Sequence, residues 1–403
     1  MVAPAVNRWP RVATVAVFLA HGLLFASWTA HIPHVKSHLH LSNAGLGVAL
    51  LGAPLGSVSA MLLSARLLPH FGSRAMVRVG LLGYCAAGVF VGLAGSLGAL
   101  FIAMFVWGAF QGALDVSMNT QAVAVERECR RPLMSGFHGC WSIGALAGAG
   151  LGVIGVAVGL SLSLQLLVLG ALVLVVVGSL TPRMLPETTP STRTRSVGRP
   201  SVLRLSRPVL VLGAIAFASM LCEGASADWA AVYLRGPLHS SATTAGFGYA
   251  AFMLTMVAIR LSGNRLLARF RARVVLPVLA GIATTGFVAG LIGDRDGSAI
   301  AGFACLGIGL GLIVPTVFSA AGRLPGLNPG TAIATVSACG WLGFVCGPPL
   351  IGGLASATSL PVALGLLPVL TTGIVVSTGL AMALRHEPSG VMPKAGVRPD
   401  HSA

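Results

Sequence analysis

Three carboxyl groups interrupt stretches of this chain that are otherwise nearly free of charge: Asp115, Glu223 and Asp228. Asp115 sits between Gln111 and Asn119, at spacings i−4 and i+4 that put two amides and a carboxyl on one face of an apolar helix. A carboxyl in such a helix is costly in hydrocarbon, so it must face protein or a water-filled cavity, where it can bind a polar solute or carry a proton. Glu223 lies in the middle of its segment and is read as the main proton-exchanging group. Asp115 is assigned to both coupling and solute contact, although Asn119 could simply satisfy it within one turn. Asp228 lies beside Trp229 near a segment end, as a coupling group, a gate or a helix-end residue; Trp229 is counted with the solute contacts. His138, Trp141 and Ser142 share a second helix face, and a ring nitrogen, an indole and a hydroxyl together suit a polar, stackable ligand. The alternative is that His138 only packs against a neighbouring helix, and His21 carries the same ambiguity. His31, His34, His38 and His40 form a run that could bring three imidazoles to one helix face. No acid or cysteine accompanies them, so they are read as a solvated loop and no metal site is expected.

The elements that must hold these groups are membrane spans. The 403 residues are 55% hydrophobic and 9% charged, against about 25% charged in soluble domains. Twelve apolar segments can be drawn, at 11–31, 44–64, 76–95, 98–125, 136–157, 161–181, 207–231, 243–263, 274–293, 298–320, 331–355 and 361–384. Each approaches or exceeds the ~20 residues that a helix needs to cross a bilayer. The fold class expected is therefore an all-α membrane protein of twelve transmembrane helices in two six-helix bundles. Residues 1–182 form the first bundle, 183–206 a polar Arg-, Thr- and Pro-rich cytoplasmic linker, 207–384 the second bundle, and 385–403 a disordered cytoplasmic tail. The first segment is read as a span and not a cleaved signal. The seven cysteines, all but Cys129 in apolar segments, have no metal-site spacing and suggest no disulfide framework.

Charge placement sets the topology. The net charge of +16 could suggest a nucleic-acid partner, but the arginines sit between apolar segments. Counted by side, 23 basic residues fall on one face of the membrane and only Lys36, Arg235 and Arg295 on the other. The rich side is cytoplasmic by the positive-inside rule, with both termini inside and the chain in the cytoplasmic (inner) membrane. The halves also repeat. Arg66-Leu67-Leu68, Phe71 and Arg74 recur 199 residues later as Arg265-Leu266-Leu267, Phe270 and Arg273. Gly108, Gly112, Cys140, Gly144 and Gly148 return at the same offset as Gly307, Gly311, Cys339, Gly343 and Gly347. The glycine pairs are read as helix-packing positions. Parallel six-span repeats are the build of major facilitator transporters.

The whole chain resembles the major facilitator superfamily, and three stretches are similar to its fucose-permease-like branch: Asp115-Val116-Ser117-Met118-Asn119-x-Gln121, Phe137-His138-x-x-Trp141-Ser142-x-Gly144 and Glu223-Gly224-Ala225-x-Ala227-Asp228-Trp229. The resemblance implies alternating access around a central cavity lined largely by the first, fourth, seventh and tenth spans, and proton coupling. It also implies a gating loop after the second span, carried here by Arg66, Gly72 and Arg74 and by Arg265 and Arg273 in the repeat. This loop departs from the superfamily pattern, with Pro69 at the position where the acid aligns. No P-loop, nucleophile elbow or zinc motif is present, which argues against an ATP-driven pump and against an enzyme. The reading is a secondary transporter of a small, sugar-like solute, with protons and membrane lipid as further partners, no cofactor and a monomeric state. Proton-driven drug or metabolite efflux and a non-transporting receptor of the same fold are the alternatives.

The topology is testable with an impermeant thiol reagent on single-cysteine variants in intact cells. A cysteine introduced at 36 or 294 is expected to label rapidly, and Cys129 only after permeabilisation; the reverse pattern overturns the orientation.

Overall fold

The computed structural model describes residues 8–129, 133–186, 207–321, 324 and 329–380. Most of the 183–206 linker and all of the 385–403 tail lie outside these residues. Among the described residues twelve helical stretches are long and apolar enough to span a membrane: Trp9–His38, Asn43–Ser64, Ser73–Leu93, Leu97–Glu126, Gly136–Ala157, Leu162–Arg183, Arg207–Arg235, Ala242–Gly263, Ala272–Ile292, Asp296–Ala321, Thr335–Ala357 and Leu360–Thr378. They are called spans one to twelve. The chain is all-α and its spans form two six-helix bundles.

Serine hydroxyls start the even spans of the first half. Ser42, Ser96 and Ser161 accept hydrogen bonds from the backbone N–H of Gly45, Ala99 and Leu164, and Ser241 does the same for Thr244 at the head of span eight. Each satisfies one of the orphan donors that a helix start exposes. The turns that precede these caps repeat as well. His40 and His239, 199 residues apart, both take the left-handed conformation, with φ of 50° and 55°, which histidine tolerates better than most residues.

Glycines set how closely the helices approach. A Cβ at Gly144 or Gly148 would collide with the carbonyls of Leu19 and Leu23, so span five lies against the backbone of span one. Gly343 presses span eleven onto Phe217 of span seven in the same way. Gly108 and Gly112 seat span four on Ala53 and Ser57 of span two, and Gly307 and Gly311 seat span ten on Phe252 and Ile259 of span eight. The glycines of the sequence repeat are thus the packing seams of two equivalent bundles, as small residues must be where lipid supplies no hydrophobic drive between helices.

Two segments differ from the sequence reading. The first span does not end in a solvated loop: its helix, Trp9–Ser27, runs on through a 3-10 turn at Thr29–His31 into a helix at Ile32–His38. His31 is buried there, and its Nε2 lies 3.0 Å from Gln165 Oε1. That bond holds it on span six, while His34 and His38 stack on each other with centroids 6.3 Å apart. Span ten is broken, with helices at Asp296–Leu310 and Ile313–Ala321.

The two halves meet at one end. Span two lies against span eleven where a Cβ at Gly47 would strike the Pro348 carbonyl, and the Ala44 N–H donates to Ser356 Oγ at 2.8 Å. Span eight approaches span five and the end of span one where Gly246 faces Val153 and Ala30. At the other end of span five His138 is exposed, and a side chain at Gly136 or Gly139 would meet nothing within 4 Å. The close approaches of spans two and eleven and of spans five and eight lie towards the end that carries residues 39–42 and 236–241, the closed end.

These seams predict a contrast. Gly148→Ala should destabilise the protein by about 1–3 kcal/mol, the range for overpacking a tight contact. Gly150→Ala, where a Cβ meets nothing within 4 Å, should be neutral or slightly stabilising. Thermal melts of the two purified variants compare them directly, and equal melting points would remove the seam.

Candidate functional site

Span seven is a single helix, Arg207–Arg235, that carries both Glu223 and Asp228. Span eight faces it with Tyr249 and Arg260 on the helix Ala242–Arg269. The Arg260 guanidinium is the junction of the site. Its Nη2 lies 3.6 Å from Glu223 Oε2, its Nη1 donates to Ser142 Oγ at 3.1 Å, and its Nε donates to the Gly311 carbonyl at 3.3 Å. Gly311 stands where the helix of span ten breaks, so its carbonyl is free to accept; non-helical backbone at membrane depth requires a partner of this kind. One side chain therefore joins spans five, seven, eight and ten and crosses between the halves.

The electrostatics follow from the distances. At 3.6 Å the Arg260–Glu223 contact is an ion pair without the short hydrogen bond of a charge-assisted pair. The two side chains are 23% and 14% exposed, so neither is sealed from water. Among the described residues neither Asp115 nor Asp228 has a cationic partner. Asn119 Nδ2 donates to the Asp115 backbone carbonyl at 2.8 Å and to its Oδ1 at 3.2 Å, the local contact weighed against a binding role above. Tyr249, buried on span eight, lies within electrostatic reach of both Glu223 and Asp228.

Across the site the first half presents rings. Trp141 Nε1 donates to His21 Nδ1 at 2.7 Å, which fixes the neutral His21 as the tautomer protonated on Nε2. That Nε2 is buried without a hydrogen bond, as is the hydroxyl of Tyr84, which stacks on the His21 ring at 5.5 Å. Tyr84 stacks in turn on Trp107 at 5.2 Å. His138 is exposed, meets Phe18 edge-on at 5.5 Å, and offers its backbone carbonyl to Ser142 Oγ at 3.2 Å.

The candidates from the sequence thus fall into three groups. Ser142 and Glu223 are brought together, through Arg260. Gln111, Asp115 and Asn119 lie half-buried on span four, and among the described residues no hydrogen bond or ion pair links them to Glu223. Trp229 is fully buried, with its ring tip near Gly352 of span eleven at the closed end. In the loop after span two, Gly72 takes φ +77°, a conformation that suits glycine. Arg74 reaches the carbonyls of Pro182 and Met184 at 3.5 Å each, whereas Arg66, Arg265 and Arg273 are exposed. Arg260 was missed because it had been counted with the loop cations. Its position inside the segment 243–263 was the signal, since an intramembrane arginine needs a named partner.

Comparison with known proteins follows the geometry. A family description, Major Facilitator Superfamily, matches residues 13–329. An uncharacterized transporter of Sinorhizobium fredii is 32% identical over 352 residues, covering 87% of this chain and 92% of its own. The membrane protein MosC of Rhizobium meliloti is 33% identical over 370 residues, covering 92% of this chain and 89% of its own. Among solved structures, a mutant of the nucleoside transporter NupG superposes with a TM-score of 0.76 at 10% identity, covering 93% of this chain and 99% of its own. The transporter FucP, in an outward conformation, superposes with a TM-score of 0.63 at 16% identity over the same shares. At these identities the two structures speak for the fold alone.

The Arg260 junction predicts non-additive stability. Arg260→Met leaves Glu223 without its cation in a low-dielectric site and should destabilise the protein; Glu223→Gln in the same chain should restore part of the loss. Ser142→Ala removes one hydrogen bond and should cost about 0.5–1.5 kcal/mol. Unfolding midpoints of the single and double variants test this, and strictly additive losses would show that the pair is not coupled.

Proposed function

The chain belongs to the major facilitator superfamily, and on that premise we propose that it moves a small, polar, sugar-like solute across the cytoplasmic membrane by alternating access, driven by protons. It is a membrane transporter; the solute, the coupling ion and the orientation are our reading. The observation that carries this reading is the Arg260 guanidinium, held by Glu223 of one half and Ser142 of the other.

Spans five and eight belong to different halves, and the Arg260–Ser142 bond joins them one helical turn from His138. Proton uptake by Glu223 removes the negative partner of Arg260. The guanidinium then loses its electrostatic anchor, and its hold on Ser142 weakens with it. Proton binding is in this way tied to the relative position of the halves, as coupling requires: a ligand shifts an equilibrium only by its differential interaction with the two states. Glu223 is the proposed coupling residue, with Arg260 as its counter-ion. Asp115 and Asp228, without cations of their own among the described residues, are further proton or solute contacts. Gln111, Asn119 and the remaining N–H groups of Arg260 offer hydrogen bonds to hydroxyls, and Trp141 offers a face on which a sugar-like ring can stack. With the arginine-rich side cytoplasmic, the closed end is the outer one.

A ligand-stabilisation screen on purified protein, across sugars and amphipathic drugs, identifies the solute. In vesicles, Glu223→Gln is then expected to abolish accumulation against a gradient while exchange of solute survives. Accumulation with normal pH dependence in that variant would move the proton to another residue. Asn119→Ala is expected to weaken solute affinity by roughly two- to twelve-fold, the equivalent of one lost hydrogen bond. Unchanged affinity with a lowered melting point would leave Asn119 a structural partner of Asp115 alone.

A further inference from the structure

An indole carries a single polar group, the Nε1–H, and that group can only donate. In Trp141 it donates to His21 Nδ1 at 2.7 Å. The donor belongs to span five and the acceptor to span one. With its N–H spent in this way, Trp141 keeps no donor for a solute and can offer it only the ring. Phe25, one turn along span one from His21, also meets the indole, with centroids 5.7 Å apart and a tilt of 41°. That contact packs the ring without fixing where its N–H points. The direction comes from the hydrogen bond, which weakens steeply when it leaves the line of donor and acceptor.

The acceptor is held more firmly than the ring it holds. His21 is buried, whereas Trp141 is half-buried. Tyr84 of span three stacks on the imidazole with 27° between the planes, and Trp107 of span four stacks on Tyr84 in turn. Both of these rings are buried, so the imidazole is backed by two further helices. The backbones that carry donor and acceptor are also in contact. A Cβ at Gly22, the residue after His21, would strike the Trp141 carbonyl, and one at Gly144 would strike that of Leu19. A fixed acceptor on a fixed frame sets the orientation of a ring that is itself only half enclosed.

We propose that His21 is a positioning residue for transport. It acts through Trp141, whose ring it holds in one orientation beside the Arg260 junction; Ser142, the next residue in the chain, accepts from Arg260 at 3.1 Å. A ring ordered before the solute arrives removes part of the ordering cost of binding. The proposal rests on the reading of Trp141 as the face on which the solute stacks.

Fluorine NMR of the full-length protein in dodecyl maltoside, with its six tryptophans replaced by fluorotryptophan, tests it. The Trp141 line is assigned by its loss in Trp141→Phe. His21→Leu fills the site but has no acceptor, whereas His21→Asn is smaller and carries Oδ1 as many bonds from Cα as Nδ1. The Trp141 line should shift and broaden in His21→Leu and stay near its wild-type position in His21→Asn. A packing role predicts the reverse order, and that order overturns the proposal. Thermal melts give a second measurement that does not need the asparagine variant. The loss caused by His21→Leu should largely vanish in a Trp141→Phe background, where no N–H needs an acceptor; an equal loss in both backgrounds also overturns the proposal. A mixture of D-glucose, D-galactose and D-mannose, titrated on the Trp141 line, is the solute probe. Its apparent affinity should fall roughly two- to twelve-fold in His21→Leu and recover in His21→Asn. If the mixture leaves the wild-type line unmoved, the sugar-like reading of the solute fails, while the spectra without probe still decide the role of His21.

Discussion

A guanidinium at membrane depth has to be held from several sides, and the centre of this molecule is arranged around that requirement. Arginine cannot shed its charge, and its five donors lie in a fixed fork. No single helix offers that fork a carboxylate, a hydroxyl and a free carbonyl together. Glu223 supplies the first, Ser142 the second and the broken helix of span ten the third, at Gly311. The break at Gly311 would leave an unsatisfied carbonyl in an apolar setting if Arg260 were absent. Arginine and helix break each satisfy what the other leaves exposed, which ties the position of span eight to the shape of span ten.

Around that centre the frame is symmetric and the chemistry is not. The glycines that seat span five on one and span four on two recur, 199 residues on, as those that seat eleven on seven and ten on eight. The polar residues do not recur. At the same offset Asp115 corresponds to Val314, Glu223 to Leu24, Arg260 to Met61 and Ser142 to Trp341. Duplicated scaffolds require the same backbone approaches, so the glycines are held in both copies. The ion pair is needed once, at the interface between the copies, and a second copy would add the desolvation of two more charges.

This division explains what could be read from the sequence. Span number, bundle architecture and the repeat were legible because hydrophobic length and glycine spacing are local properties. Asp115, Glu223 and Ser142 were legible as polar interruptions of apolar helices. Their partners were not, because partnership depends on which helices face each other across the halves. Arg260 shows the difference: its position inside a span was visible, yet basic residues near span ends usually belong to loops, and only the packing of spans five, seven, eight and ten shows that this one does not. His31 failed in the opposite sense. Its place in a histidine run suggested solvent, whereas Gln165, 134 residues away in sequence, holds it inside the protein.

The same contrast between seams and chemistry bears on which interface can open. Within each half, glycines bring helix backbones into contact along several turns, and parting them would empty closely packed volume with no water to fill it. Between the halves, the closed end rests on approaches at Gly47, Gly246 and Gly352 and, among the described residues, on a hydrogen bond from the Ala44 N–H to Ser356 Oγ. The Arg260 junction adds a charge-bearing contact between the halves. Backbone proximity at Gly47 and Gly352 also holds spans two and eleven together across the halves, so what distinguishes the contact between the halves is the charge at Arg260. Rigid bodies joined by a bistable seam are what a rocking movement of two bundles needs.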